Sequence, residues 1–160
     1  MDIIIITHNK FLELGLKILL SRHSFKIGSE YFTPENRNKI IQNDFFIVLC
    51  DKELRGLINC MFNGHKIHLL SVESVSNLSD IYNCIYGGET FFCNSQKKST
   101  MNEMVILFYY FFYGYNIANI AYQLGISSKT VYSHIYKIKK KNGISGVNIK
   151  YKCVYETSVC

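Results

Sequence analysis

Ala121, Gly125 and Val131 stand in an order that few packings of a chain can satisfy. Two helices crossing closely through a sharp turn need a small residue where they touch and a turn residue free to take positive φ. They also need an apolar residue to begin the inward stripe of the second helix. Alanine, glycine and valine at these positions supply all three. Ile117, Ile120, Ala121 and Leu124 fall at i, i+3, i+4 and i+7, a single apolar helical face, and Asn116 stands where a cap belongs. Ser127 is placed to cap a further helix to about Lys141, with Ile126, Val131, Ile135 and Ile138 facing inward. Upstream, Thr100-Met-Asn-Glu103 has capping-box spacing for a helix that runs to about Tyr113 and ends at Gly114. From residue 100 onward the chain is therefore predicted to be all-α around a helix-turn-helix.

The first part reads differently. Ile3 to Ile6 and Phe45 to Cys50 are apolar runs of the kind found in buried parallel strands; Phe25-Lys-Ile27 and Ile67 to Leu70 are shorter candidates. Helical spacing appears over Phe11 to Leu20 and Leu78 to Tyr86, and a further helix is expected from Pro34 through Ile41. Residues 52 to 64 fit helix or strand. Strand and helix in alternation predict a parallel sheet covered by helices on both faces. Cys93 to Thr100 is polar, has no apolar period and suits an exposed linker. The expected organisation is an α/β unit over 1–92, a linker over 93–99 and an all-α unit over 100–160.

Charge follows the same division. Residues 1–96 carry nine Lys/Arg against ten Asp/Glu, while residues 97–160 carry nine Lys against Glu103 and Glu156. The second part holds the whole excess of the formal +6, which points to a polyanionic partner. On its last predicted helix Lys129, Tyr132, Ser133, Tyr136, Lys137 and Lys140 share one outward face without an acid. A merely solvated surface would intersperse Glu or Asp and would not turn two tyrosines to water.

At this point the residues become specific. Gly114, Ile120, Ala121, Leu124, Ile126, Ser127, Thr130, Val131 and His134 match in register the pattern G-x-S-x-x-E-I-A-x-x-L-x-I-S-x-x-T-V-x-x-H. The segment resembles the LuxR/FixJ (GerE-type) DNA-binding domain, and Lys141-Asn-Gly-Ile144 resembles the sequence that follows it in that family. Asn116 stands for the usual Ser, Asn119 for a frequent Glu, and Tyr132 for the usual Lys or Arg. The stretch from Glu103 to Gly114 is one residue longer than usual. The resemblance implies double-stranded DNA as partner. It implies base contacts from Tyr132, Ser133 and Tyr136, and backbone contacts nearer Lys129, Thr130, Lys137 and Lys140. Ser128, His134 and Lys141 complete the candidate interface. His134 is either a phosphate contact or a packing residue at the domain edge. Tyr132 cannot make the bidentate guanine contact open to Arg or Lys.

The resemblance also implies a response-regulator receiver ahead of the DNA-binding unit, shortened and degenerate here. Aspartyl phosphorylation needs an acidic pair after the first strand to hold Mg²⁺, where this chain has Thr7-His8-Asn9. Asp51 is the single candidate acceptor, Ser71-Val-Glu73 occupies the place of the receiver lysine, and only 26 residues separate Asp51 from Leu78. The expectation is a transcription regulator not switched by ordinary aspartyl phosphorylation, Asp51 being a strand-end or cap residue. A homodimer, or a heterodimer with a related regulator, is expected, with residues from about 146 to 155 as one candidate contact. A co-regulator acting mainly through such heterodimerisation, with weak DNA binding of its own, is the alternative.

Other classes find little support. No phosphate-cradling glycine loop, metal-ligand cluster or nucleophile-base pair is present in the sequence, so neither enzyme activity nor a cofactor is expected. The six cysteines lack C-x-x-C spacing and read as reduced thiols. The longest apolar run, Val105 to Tyr113, is too short to span a bilayer, and MDIIIITHNK lacks the marks of a secretory signal. A bacterial cytoplasm is the expected setting.

Overall fold

The computed structural model describes residues 2–43, 45–87, 91–92 and 97–142. Five strands form one sheet in the order β2-β1-β3-β4-β5: β1 (Asp2–Ile6), β2 (Phe25–Ile27), β3 (Phe45–Cys50), β4 (Lys66–Ser71) and β5 (Phe91–Phe92). The first four are mutually parallel and β5 runs antiparallel beside β4. The helices are α1 (Lys10–Leu19), the single turn α2 (Gly28–Tyr31), α3 (Arg55–Met61), α4 (Leu78–Gly87), α5 (Met101–Leu107), α6 (Ile117–Leu124) and α7 (Ser128–Lys141). The α/β unit and the all-helical unit are both present. The ambiguous stretch after β3 resolves as helix.

The strand side chains alternate between two apolar layers, as the pleat requires. Ile3, Ile5, Ile47 and Leu49 pack with Leu16 of α1, with Leu20 at its C-cap and with Ile81 of α4. Ile4, Ile6, Phe46, Val48 and Cys50 face the other way, onto Leu57, Ile58 and Met61 of α3 and onto Met104, Val105 and Phe108. The second layer is thus closed by α5, from the C-terminal part of the chain. Ile120, Leu124, Val131, Ile135 and Ile138 continue the same core.

Three local expectations need correction. The helix expected from Pro34 through Ile41 is only a 3₁₀ turn, Pro34–Asn36, followed by irregular chain. Asn36 turns its side-chain amide back to donate to the Tyr31 carbonyl at 2.8 Å, the local competition with helix that asparagine favours. The expected linker is only partly exposed. Residues 93–96 lie outside the described residues and Lys97, Lys98 and Thr100 face solvent, but Ser99 is buried. Its N–H donates to Asn63 O at 2.8 Å and its carbonyl lies 2.8 Å from His65 Nε2.

Third, the helix expected to reach about Tyr113 stays α-helical only to Leu107 and continues as a π-turn over Phe108–Phe112. The Tyr113 N–H donates to Phe108 O at 3.3 Å, five residues back. A π-turn absorbs one extra residue without turning the helix before it, and the span from Glu103 to Gly114 holds one residue more than the resembling pattern has. Gly28 admits the turn to the sheet: a Cβ there would lie 3.0 Å from Ile6 Cγ1 and 3.2 Å from Phe108 Cε2.

Candidate nucleic-acid interface

Each helix of the C-terminal unit begins on the cap its sequence provides. Thr100 accepts from the Glu103 N–H at 3.2 Å while Glu103 accepts from the Thr100 N–H at 3.0 Å, a complete capping box. Asn116 accepts from the Asn119 N–H at 2.8 Å, and Ser127 from the Thr130 N–H at 3.1 Å. Between α6 and α7, Gly125 takes φ 60°, ψ 38°. That conformation lets the Ile126 N–H return to Ala121 O at 3.0 Å and satisfies the end of α6 within the turn. The helix-turn-helix is therefore specified residue by residue.

The inward side of α7 is Val131, Ile135 and Ile138, all buried. Its outward side is open. Ser128, Lys129, Thr130, Tyr132, Ser133, Tyr136, Lys137 and Lys140 are exposed, Tyr132 at 62% and Tyr136 at 60%. The Thr130 hydroxyl lies 2.8 Å from that of Ser127 and so doubles the helix cap. Three cations, two phenols and the Ser133 hydroxyl lie along one helix face, and no carboxylate belongs to α7.

Two candidate residues are placed otherwise. His134 is half-buried against α5, with Nε2 3.2 Å from the Asn102 side-chain amide. Burial, aided by the Lys137 charge and opposed by Glu103, holds its pKa below the usual histidine value. Placed there, a neutral imidazole accepts from the Asn102 amide at the unit's edge. Lys141 folds back to Glu103, Nζ to Oε2 3.3 Å, with Ser99 Oγ at 3.4 Å, and joins the end of α7 to the start of α5 instead of facing outward. The expected pairing segment at about 146 to 155 lies outside the described residues.

Some contacts had no sequence signal. Arg37, in the irregular segment before β3, donates through Nη1 to the Leu124 carbonyl at the end of α6. Asn63 Nδ2 donates to Asn142 Oδ1 at 2.8 Å. Tyr122 is different: it points into solvent on α6, and the apolar face at 117, 120, 121 and 124 already implied that direction.

At the carboxyl end of the sheet Asp51 is buried, as a strand-end residue. One carboxylate oxygen accepts from the Thr7 hydroxyl and the other from the His8 N–H at 2.8 Å. Glu73 is bonded by the Ser71 hydroxyl, which holds its pKa below the usual range. The Cys50 thiol, buried beside Asp51, is pushed up to about 12 by that burial, which disfavours its thiolate. Among the described residues no group of three or more His, Cys, Asp or Glu is arranged to hold a metal ion, and no helix is long and apolar enough to cross a membrane.

Residues 102–141 match the family model described as Sigma-70, region 4. The match covers the three helices of the C-terminal unit and the turn between α6 and α7. No curated protein matches the chain. Among solved structures, the two-component response regulator RcsB in complex with DNA aligns at 15% identity over 96% of this chain and 98% of that one, with a TM-score of 0.47. A Salmonella typhimurium RcsB response regulator aligns at 15% identity over 99% of both chains, with a TM-score of 0.33.

Proposed function

We propose that this chain is a sequence-specific, DNA-binding transcription regulator whose residues from about 127 to 141 enter the major groove. The observation that carries the reading is the outward face of α7, where Lys129, Lys137 and Lys140 flank exposed Tyr132, Ser133 and Tyr136. A duplex offers that face two complementary surfaces. Its phosphates meet the ammonium groups at the rim, and the edges of its bases meet the phenols and the hydroxyl at the centre. Lysine-phosphate contacts supply affinity and position; Tyr132, Ser133 and Tyr136 supply the reading of sequence. Selection of bound fragments from genomic DNA, followed by titration of the enriched sequence against a scrambled duplex, tests this. Equal affinity for both would overturn it.

Regulation by the usual aspartyl phosphorylation is not part of this reading. Asp51 already spends both oxygens on the loop after β1, and that loop presents a hydroxyl, an imidazole and an amide where Mg²⁺ would need carboxylates. Incubation with acetyl phosphate and Mg²⁺ is expected to leave the intact mass unchanged.

DNA half-sites related by two-fold symmetry call for two subunits. Phe11, Leu14 and Ile18 of α1 leave an apolar strip in solvent, 89%, 57% and 67% exposed, and this strip is proposed to meet a second copy of the chain.

A further inference from the structure

Gly15 stands in the middle of α1, a helix of ten residues. After proline, glycine is the residue a helix interior tolerates least. Its backbone here is helical, unlike that of Gly64, Gly114 and Gly125, the positive-φ glycines among the described residues. Nor does packing demand it. Gly15 is exposed, and a Cβ built on it meets no atom of the described residues within 4 Å. At Gly28, by contrast, the same Cβ would crowd Ile6 and Phe108.

The residue lies inside the apolar strip of α1. Phe11, Leu14, Gly15 and Ile18 fall at i, i+3, i+4 and i+7, on one helix face, and Phe11, Leu14 and Ile18 are exposed there. Leu16, on the other side of the helix, is buried in the core. A solvent-facing surface thus carries three bulky apolar side chains and, among them, a notch. Packed helices usually lie about 8–10 Å apart, and a residue without a side chain lets a second backbone come to the near end of that range.

We propose that α1 of one copy crosses α1 of a second copy antiparallel, with the two-fold axis between Leu14 and Gly15. The inference rests on the pairing of two copies proposed above and specifies how that pairing is made. About such an axis Leu14 of each copy seats on Gly15 of the other, and Phe11 of each meets Ile18. One surface complements itself, as an isologous contact requires.

Charge favours the same orientation. Glu13 holds both Lys10 and Lys17 along one border of the strip, each Nζ 2.9 Å from a carboxylate oxygen. At a rise of about 1.5 Å per residue, the antiparallel crossing sets Glu13 of one copy and Lys17 of the other within about 2 Å of the same level along the axis. A parallel crossing sets Glu13 beside Glu13 and Lys17 beside Lys17. One helix crossing buries less than the roughly 1,200–2,000 Å² of a standard interface. Its strength therefore depends on how closely the backbones approach, and residue 15 decides that.

Sedimentation equilibrium on the full chain without DNA measures the pairing apart from the DNA reading. Gly15→Ala is expected to raise the melting temperature at a dilution where the chain is monomeric, and to weaken association about tenfold. Gly15→Leu distinguishes the crossing from a merely adhesive patch. Added apolar surface strengthens adhesion, whereas a side chain filling the notch is expected to weaken pairing by about tenfold or more. Phe11→Lys and Ile18→Glu are each expected to be monomeric and to pair when mixed, because position 11 of one copy meets position 18 of the other. A parallel crossing gives no such rescue. Pairing lost in Phe11→Glu but undiminished in Gly15→Leu keeps the strip as the contact and overturns the crossing. A mixture that stays monomeric overturns the antiparallel orientation. A parent chain that is monomeric throughout overturns the pairing itself, and the crossing with it.

Discussion

His8 lies flat on Phe112, with ring centroids 4.1 Å apart and planes within 9°. The stack joins the loop after β1 to the π-turn after α5. Behind it Phe112 stacks on Phe108 at 4.5 Å, and Phe108 meets Phe32 at 5.1 Å. The backbone of His8 is held by Asp51. Asp51 therefore fixes, through one loop, an aromatic column leading into the helix-turn-helix. Asp51→Ala strips two hydrogen bonds from a buried site and is expected to cost about 2–4 kcal/mol in urea unfolding. Phe112→Ala is expected to cost about 1–3 kcal/mol, its ring being half-buried. The two changes act on one loop, so the double variant should fall short of their sum by about 0.5 kcal/mol or more. Strict additivity would show that the column does not transmit what Asp51 holds.

Much of this architecture was legible in the residues, and the reasons differ from place to place. The continuous apolar runs of β1 and β3 and the caps at Thr100, Asn116 and Ser127 are local signals, written within four or five neighbours. The outward face of α7 follows from helical period alone. The closure of the sheet by α5 was not legible, because apolarity at Met104, Val105 and Phe108 says that they are buried and not against what. The extra residue before Gly114 could be counted in the sequence. Its absorption as a π-turn depends on Phe108 and Phe112 finding places against Gly28 and His8, which are distant in the chain. The inward turn of Lys141 was hidden for a related reason: its partner Glu103 lies 38 residues away.

Substitutions on α7 should separate affinity from specificity. Lys129→Ala and Lys137→Ala each remove a charge at an exposed position. Each is expected to weaken binding to all duplexes and to reduce the salt slope by about one. Tyr136→Ala leaves the charge intact and should change the ranking of duplexes, by about 1–3 kcal/mol at the base pair it meets. Lys141→Ala, whose side chain is paired with Glu103, should lower stability before it lowers affinity. Anisotropy titrations at three salt concentrations distinguish these outcomes, and equal effects on matched and scrambled duplexes from Tyr136→Ala would remove it from the reading face.

The exposed strip on α1 predicts an assembly change. A carboxylate at position 11 would stand at one end of the proposed apolar contact but costs little in the monomer, where Phe11 is almost wholly in water. If the strip pairs two copies as proposed, Phe11→Glu is expected to leave the melting temperature nearly unchanged and to shift the chain from dimer to monomer by light scattering. It should also weaken binding to a paired half-site far more than to a single one. An unchanged molar mass would place any subunit contact elsewhere.

His134 makes the stability of the helix-turn-helix depend on pH in a direction that can be worked out. Burial and the Lys137 charge lower its folded-state pKa below the ordinary histidine value of about 6.5, whereas in the unfolded chain no such penalty acts. Between the two values the unfolded state binds more protons, so stability rises with pH across that window. The contribution is fully present above about 6.5 and is lost as pH falls through the folded value. Protonation also turns Nε2 from an acceptor into a donor, opposing the Asn102 amide that it now meets at 3.2 Å. His134→Gln keeps a side-chain oxygen as acceptor without the titration. Melting temperatures from pH 8 to pH 5 should fall more steeply for the parent chain than for this variant. Parallel curves would mean that the imidazole is indifferent to its charge and that the contact with α5 is not what holds it.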